Sequence, residues 1–243
     1  MNDVHMDESF IDTMLNDGVV VFKNVINANQ IQLMKNEINH IQKIVMSKLN
    51  GMKRPIRTYS DIAERFLGRL DYRCGFTADI FDQVGKSLVN IIKKMSPQID
   101  FRYYWGAIPS LGQTGSTNMH RDVYPILNTT KGVNLGTLDL MLPPYYFTVL
   151  IPLVEITKEN GPTVFIKKSH RVAVVDENVS DIYAPLLTPG DIVIFEGRTM
   201  HQGSANNTNE ERLITYITFV ANWYHDQTFE MNDYLFPELL IKR

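Results

Sequence analysis

At 243 residues, with 44% hydrophobic and 21% charged side chains, the chain can bury a sizeable core and carries no signature of disorder, a fibre or a coiled coil. A formal net charge of −3, from 24 basic and 27 acidic residues, provides no general attraction to nucleic acid or to an anionic membrane. The single cysteine, Cys74, excludes an internal disulfide and reads as a small buried residue. No apolar run approaches the roughly 18 residues that span a bilayer, and the acidic start Met1-Asn2-Asp3-Val4-His5 is unlike a secretory signal. A cytoplasmic setting is therefore the expectation.

In chain order, Asp17-Gly18 signals a turn, and Val19-Val20-Val21-Phe22 after it reads as a compact strand. Asn27 is placed to cap a helix whose Ile31, Met34, Ile38, Ile41 and Val45 recur at helical spacing. The short basic run Lys53-Arg54-Pro55-Ile56-Arg57 reads as a solvated loop. A second helix is expected over 78–95, with Ile80, Phe81, Val84, Leu88, Ile91 and Ile92 as its apolar face and Pro97 to stop it. From about residue 100 the period changes. Short β-rich runs at 101–108, 146–153, 163–166, 191–195 and 213–220 alternate with turn sequences such as Asn160-Gly161-Pro162 and Pro189-Gly190-Asp191.

This pattern predicts a mainly β fold with flanking helices around a double-stranded β-helix, the jelly-roll or cupin-like core. One domain over 1–243 is expected: a strand and helices in 1–100, the core in 101–223, and a C-terminal extension in 224–243. The weakly periodic stretch 128–144 has the length of a lid or binding loop.

Asn118-Met119-His120-Arg121-Asp122 sets an imidazole and a carboxylate two positions apart, on one face of an extended segment. A second imidazole, His201, follows the 191–195 strand. Two histidines and one carboxylate on one side of an ion leave neighbouring coordination places open, the ligand set of non-haem iron(II) oxygenases. By itself the pair is weak. With six histidines and sixteen aspartates, chance yields roughly 0.4 such pairs per chain, and His5-Met6-Asp7 is a second one. His120 alone also reads as a polar residue at a strand end. Arg212 lies eleven positions after His201 in the apolar run Leu213-Ile214-Thr215-Tyr216-Ile217. A buried guanidinium there calls for an anion, and its planar fork suits a carboxylate; the alternative is a surface arginine paired with Glu210 or Glu211.

The order of these features resembles the phytanoyl-CoA dioxygenase family of iron(II)/2-oxoglutarate-dependent dioxygenases. The likeness covers most of the chain. It is carried by Asn16-Asp17-Gly18-Val19-Val20-Val21-Phe22, His120-Arg121-Asp122, Asn160-Gly161-Pro162 leading to Ser169-His170-Arg171, Pro189-Gly190-Asp191 leading to His201, and Arg212. The resemblance implies iron(II) on His120, Asp122 and His201, with 2-oxoglutarate and dioxygen as co-substrates. It implies that Arg212 takes the far carboxylate of 2-oxoglutarate, with Thr148 and Leu150 as further contacts on one strand face. The implied reaction hydroxylates an unactivated C–H bond of a small organic substrate, releasing succinate and carbon dioxide. Desaturation and cyclisation stay open, whereas Asp122 stands against halogenation because halogenating relatives lack that carboxylate. The implied partner is a small molecule, with no nucleic acid and no membrane; the oligomeric state is not readable. The chain departs from the family at Lys167-Lys168, where Pro-Gly is usual before Ser-His, and at Arg121, where Gln is frequent. It also has Leu150 in place of an aromatic residue and Gly203 in place of a serine of the founding enzyme. Two other readings share the barrel: a non-oxygenase cupin-type metal enzyme, such as an isomerase, and a non-catalytic binding protein.

Overall fold

Asn27 starts a long helix through a reciprocal cap. Gln30 N donates to Asn27 Oδ1 at 2.9 Å and Asn27 N donates to Gln30 Oε1 at 3.1 Å, so two otherwise orphaned amide groups are satisfied at once. The computed structural model describes residues 8–50, 62–66, 68–73, 76, 78–123, 142–172 and 181–226. Cys74, the basic run 53–57, the His5–Asp7 pair, most of the 128–144 stretch and 227–243 lie outside the described residues.

Among these, three helices precede or interleave with the strands: α1 (Glu8–Asp17), α2 (Ala28–Asn50) and α3 (Asp79–Met95). The strands are β1 (Val19–Phe22), β2 (Ile62–Phe66), β3 (Arg69–Tyr72), β4 (Phe101–Ser110), β5 (Tyr146–Pro152), β6 (Thr163–Ile166), β7 (Ile182–Tyr183), β8 (Ile192–Glu196), β9 (His201–Gly203) and β10 (Arg212–Ala221). The two predicted helices and the predicted strands are present; α2 runs on past Val45 to Asn50, and the other ends agree within about two residues. Helix α1 and strands β2, β3, β7 and β9 were not foreseen. No described helix is long and apolar enough to cross a membrane.

The strands form a seven-stranded sheet in the order β1-β8-β5-β10-β4-β3-β2 and a three-stranded sheet in the order β7-β6-β9, all antiparallel. This is the expected jelly-roll core, and the first hundred residues add strands to its larger sheet. Period-two alternation sorts the side chains. On β5, β8 and β10, Phe147, Val149, Ile151, Ile192, Ile194, Leu213, Ile217 and Phe219 pack in one cluster with the helices. The residues between them, Leu150, Val193, Phe195, Ile214 and Tyr216, join Phe165 of the smaller sheet in another. At about 1.5–3 kcal/mol for each large side chain removed from water, both faces hold the sheet rigid. Thr148, Leu150, Arg212 and His201 thus project into the space between the sheets, where a site can form.

Candidate metal centre

His120 and His201 are joined by backbone before their side chains are considered. His120 N donates to His201 O at 2.9 Å and His201 N donates to His120 O at 2.8 Å, the closely spaced antiparallel pair that puts both side chains on one face. Their ring centroids lie 4.4 Å apart. Just beyond, the amides of Asp122 and Val123 both donate to Gly197 O, at 3.0 and 3.1 Å, which turns the chain so that the Asp122 carboxylate faces the rings. One ligand atom from each of His120, Asp122 and His201 falls within 4.8 Å of the other two, close enough to share an ion. His201 Nε2 and Asp122 Oδ1 are 3.5 Å apart.

The imidazole tautomers suit metal binding. His120 Nδ1 donates to Asn118 O at 2.8 Å and His201 Nδ1 donates to Thr199 O at 3.0 Å; a carbonyl only accepts, so the proton sits on Nδ1 and the Nε2 lone pair faces the cluster. His120 Nε2 is buried and has no hydrogen-bond partner. A buried polar nitrogen in that state carries a desolvation cost that a metal ion would remove. The three residues therefore fit a divalent metal. Thr148 Oγ1 donates to Asp122 Oδ2 at 2.8 Å and so orients the carboxylate.

Two recesses open from this cluster. The wider one, about 170 Å³, is lined by Arg73, Arg121, Tyr146, Thr148, Phe195 and Tyr216 together with His120, Asp122 and His201. A narrower one, about 60 Å³, runs from His120 and His201 past Leu150 to Arg69 and Arg212. It has room for roughly four to six water-sized groups, the bulk of a short carboxylate-bearing chain. Leu150 borders both.

Arg212 is buried at the end of the narrow recess, only 2% exposed. Its Nη1 donates to Asn160 O (3.1 Å), Gly161 O and Ser204 O (3.3 Å), and its Nη2 donates to Ser110 Oγ (3.0 Å). Burial, and then the charge of Arg69, push its pKa down to about 9, and no carboxylate among the described residues offsets them. Glu211, offered from sequence as a surface partner for Arg212, instead accepts from Gln42 at 2.7 Å. A buried cation among carbonyls fits an anionic ligand. The Asn160-Gly161-Pro162 turn serves this arginine. Asn160 Oδ1 accepts from Thr157 N (2.9 Å) and its Nδ2 donates to Glu155 O (2.7 Å). Gly161, at φ +87°, brings the chain so close to Ala205 O that a Cβ has no room.

Sequence reasoning missed Arg69, Asp71, Arg73 and Tyr146. Asp71, fully buried, accepts from Tyr216 Oη at 2.7 Å and from Arg73 Nε and Nη2 at 3.1 and 2.9 Å. Tyr146 Oη donates to Asp226 at 3.2 Å. Burial, then the nearby charges of Asp122 and Asp226, hold that phenol well above its usual range. Charged residues at 69, 71 and 73 alternate with apolar ones as on a solvent-facing strand, so nothing local marks them as interior.

The family model described as phytanoyl-CoA dioxygenase (PhyH) matches residues 14–214, which is most of the chain and includes His120, Asp122, Thr148, Leu150, His201 and Arg212. The chain belongs to the phytanoyl-CoA dioxygenase family. Curated relatives include the iron/alpha-ketoglutarate-dependent dioxygenase penM of Penicillium thymicola, 25% identical over 209 residues, covering 82% of this chain and 63% of that protein. Another is the Fe(II)/2-oxoglutarate-dependent dioxygenase nvfF of Aspergillus novofumigatus, 26% identical over 215 residues, covering 84% and 67%. The chain thus spans about two thirds of the length of these relatives. Its fold is shared with HygX from Streptomyces hygroscopicus, solved with nickel, 2-oxoglutarate and hygromycin B bound, at TM-score 0.67 and 13% identity over 94% of this chain and 96% of that one. The alpha-ketoglutarate-dependent epimerase SnoN from nogalamycin biosynthesis also shares it, at TM-score 0.64 and 16% identity over 88% and 82%.

Departures from the family pattern acquire physical explanations. Lys168 stands where the family usually has glycine and adopts φ 64°, the left-handed conformation that glycine takes without strain. After it, Ser169 Oγ donates to Ile166 O (2.6 Å) and accepts from Met200 N (2.7 Å), fixing the approach to His201. Arg121 sends its guanidinium to the carbonyls of Ser169 and Val172, at 3.0 and 2.6 Å. His170 is buried, with Nε2 3.1 Å from Leu15 O, and plays no part in the ligand cluster.

Proposed function

We propose that the protein is an iron(II)- and 2-oxoglutarate-dependent oxygenase that hydroxylates an unactivated C–H bond of a small organic molecule. The observation that carries this reading is the convergence of His120 Nε2, buried and without a hydrogen-bond partner, with Asp122 and His201 at the mouth of a recess that ends on the buried Arg212. Iron(II), 2-oxoglutarate and dioxygen supply the oxidising power: the keto acid loses carbon dioxide and takes one oxygen atom to become succinate, and the other oxygen is inserted into a C–H bond of the substrate.

The chain's own residues do the rest. His120, Asp122 and His201 would hold the metal through ligand atoms that lie within 4.8 Å of one another. Asp122, aligned by Thr148, fills the place that halogenation would require for a halide, which favours oxygen transfer. Arg212 takes the far carboxylate of the keto acid, so its reactive end is directed toward the histidines. Leu150 and Ile108 line both recesses and Phe195 the wider one, giving the site apolar walls that limit water. The substrate lies in the wider recess beside Arg73, Tyr146 and Tyr216, which offer polar anchors among apolar walls. The hygromycin B in HygX is of the small-molecule class proposed for it.

Anaerobic addition of iron(II) and 2-oxoglutarate is expected to produce a weak visible charge-transfer band. Asp122→Ala should abolish both that band and succinate release. Undiminished succinate formation by Asp122→Ala rejects the ligand assignment.

A further inference from the structure

Arg69 and Arg212 belong to different strands but the same row. In the sheet register Arg69 of β3 and Arg212 of β10 both pair with Ser110 of β4, one from each side. Directly opposed residues on neighbouring antiparallel strands project to the same face, so both guanidinium groups enter the narrow recess together. Their heads converge on one oxygen: Ser204 O accepts from Arg69 Nη2 at 2.7 Å and from Arg212 Nη1 at 3.3 Å. Arg69 Nη1 also donates to Gly203 O at 3.1 Å. Arg69, like Arg212, is only 2% exposed. Two like charges this close repel each other, which adds to the effect of burial in lowering the pKa of Arg212.

Residue 203 makes room for the pair. A Cβ built on Gly203 would collide with Arg69 Nη1 and come within 3.8 Å of Arg212 Nη2. The Arg69 guanidinium therefore fills the volume that a side chain at 203 would occupy, and such a side chain would require it to shift. A sheet row, a shared carbonyl and a glycine gap all place this second cation beside Arg212 in the wall of the narrow recess.

Building on the proposed oxygenase reading, we propose that Arg69 is a second binding residue for the far carboxylate of the dicarboxylate co-substrate, acting beside Arg212 in the space that Gly203 leaves open. Both guanidinium groups line the recess, and a carboxylate with two oxygens can accept from both. The anion would also relieve the repulsion between them. Selectivity for a dicarboxylate over a monocarboxylate keto acid then rests on two cations.

The test is equilibrium binding by calorimetry, with the full chain loaded with nickel(II) as an inert stand-in for iron. Two ligands are compared: 2-oxoglutarate, and 2-oxobutyrate, which has the same keto-acid end and no far carboxylate. Arg69→Met is expected to weaken 2-oxoglutarate about 30-fold, the scale of a lost hydrogen bond to a charged group, while 2-oxobutyrate stays within about threefold. Arg69→Lys, which keeps a cation and most of the packing, should lose about tenfold for 2-oxoglutarate only. Gly203→Ser, which displaces the guanidinium, should weaken 2-oxoglutarate, and adding Arg69→Met to it should cost little more. Equal losses for both ligands, or no loss for 2-oxoglutarate in Arg69→Lys and Arg69→Met, overturn the proposal. If the wild type binds neither keto acid, the oxygenase reading itself fails. If the wild type binds 2-oxoglutarate and only Arg212→Met disturbs it, that reading stands and Arg69 alone is excluded.

Discussion

Replacing Thr148 with valine removes one hydroxyl from the wall of the recess and keeps the β-branched shape. The hydroxyl, on a residue 4% exposed, donates to Asp122 Oδ2 at 2.8 Å. A hydrogen bond to a charged acceptor is worth about 1.5–3 kcal/mol. The metal-free protein should not lose that much, because the Asp122 side chain is 22% exposed and water can replace the lost donor; its stability should fall by about 1 kcal/mol or less. With a metal bound the carboxylate must hold one orientation, and loss of the group that fixes it should weaken metal binding about 10- to 100-fold. Titration of the metal-free protein with cobalt(II) or, anaerobically, iron(II) reads that change directly, and urea melts of the metal-free form provide the control. Metal affinity within threefold of wild type would refute the reasoning. A loss confined to 2-oxoglutarate affinity would place the Thr148 hydroxyl on the co-substrate instead.

Gly161→Ala forces a Cβ against Ala205 O at a backbone φ of +87°, and should cost about 2 kcal/mol or more in urea-melt stability. Since the Gly161 carbonyl accepts from Arg212, 2-oxoglutarate affinity should fall with it. Burial holds the His170 imidazole down at about pKa 4, while in the unfolded chain it protonates near 6.5. Between those values only the unfolded state takes up the proton. Stability attributable to this residue is therefore intact above about pH 6.5 and declines as pH falls toward 4, by up to about 3 kcal/mol. In urea melts at pH 7 and pH 4.5, His170→Gln should show a smaller loss than wild type; an identical loss refutes the assignment. Lys168→Gly relieves a left-handed residue and should stabilise the protein by about 0.5–1 kcal/mol, raising Tm by about 2 °C.

Much of the fold was legible because apolar periodicity responds to burial. The capped helix at Asn27, the helix ending before Pro97 and the strands on either side of Asn160-Gly161-Pro162 each carry their own local signal. Strands β2 and β3 were not legible, since Arg69-Leu70-Asp71-Tyr72-Arg73 alternates charged and apolar residues as a solvated edge strand does. Only neighbouring β4, and the polar site on the far side of the sheet, make that charged face an interior one. β9 was missed because three residues, His201–Gly203, carry too little pattern to read.

Local chemistry determined which residue types could bind a metal: the spacing of His120 and Asp122, the turn chemistry around Gly161, and a guanidinium set in an apolar run. Those are short-range properties, written in consecutive residues. Tertiary structure decided which of them meet. The antiparallel bridge between His120 and His201, the Thr148 hydroxyl aimed at Asp122, and the shared row of Arg69, Ser110 and Arg212 all depend on strand register, which is set by how the whole sheet buries its apolar face. No stretch of chain contains that information alone, because each contact joins residues whose separation in sequence bears no relation to their distance in space.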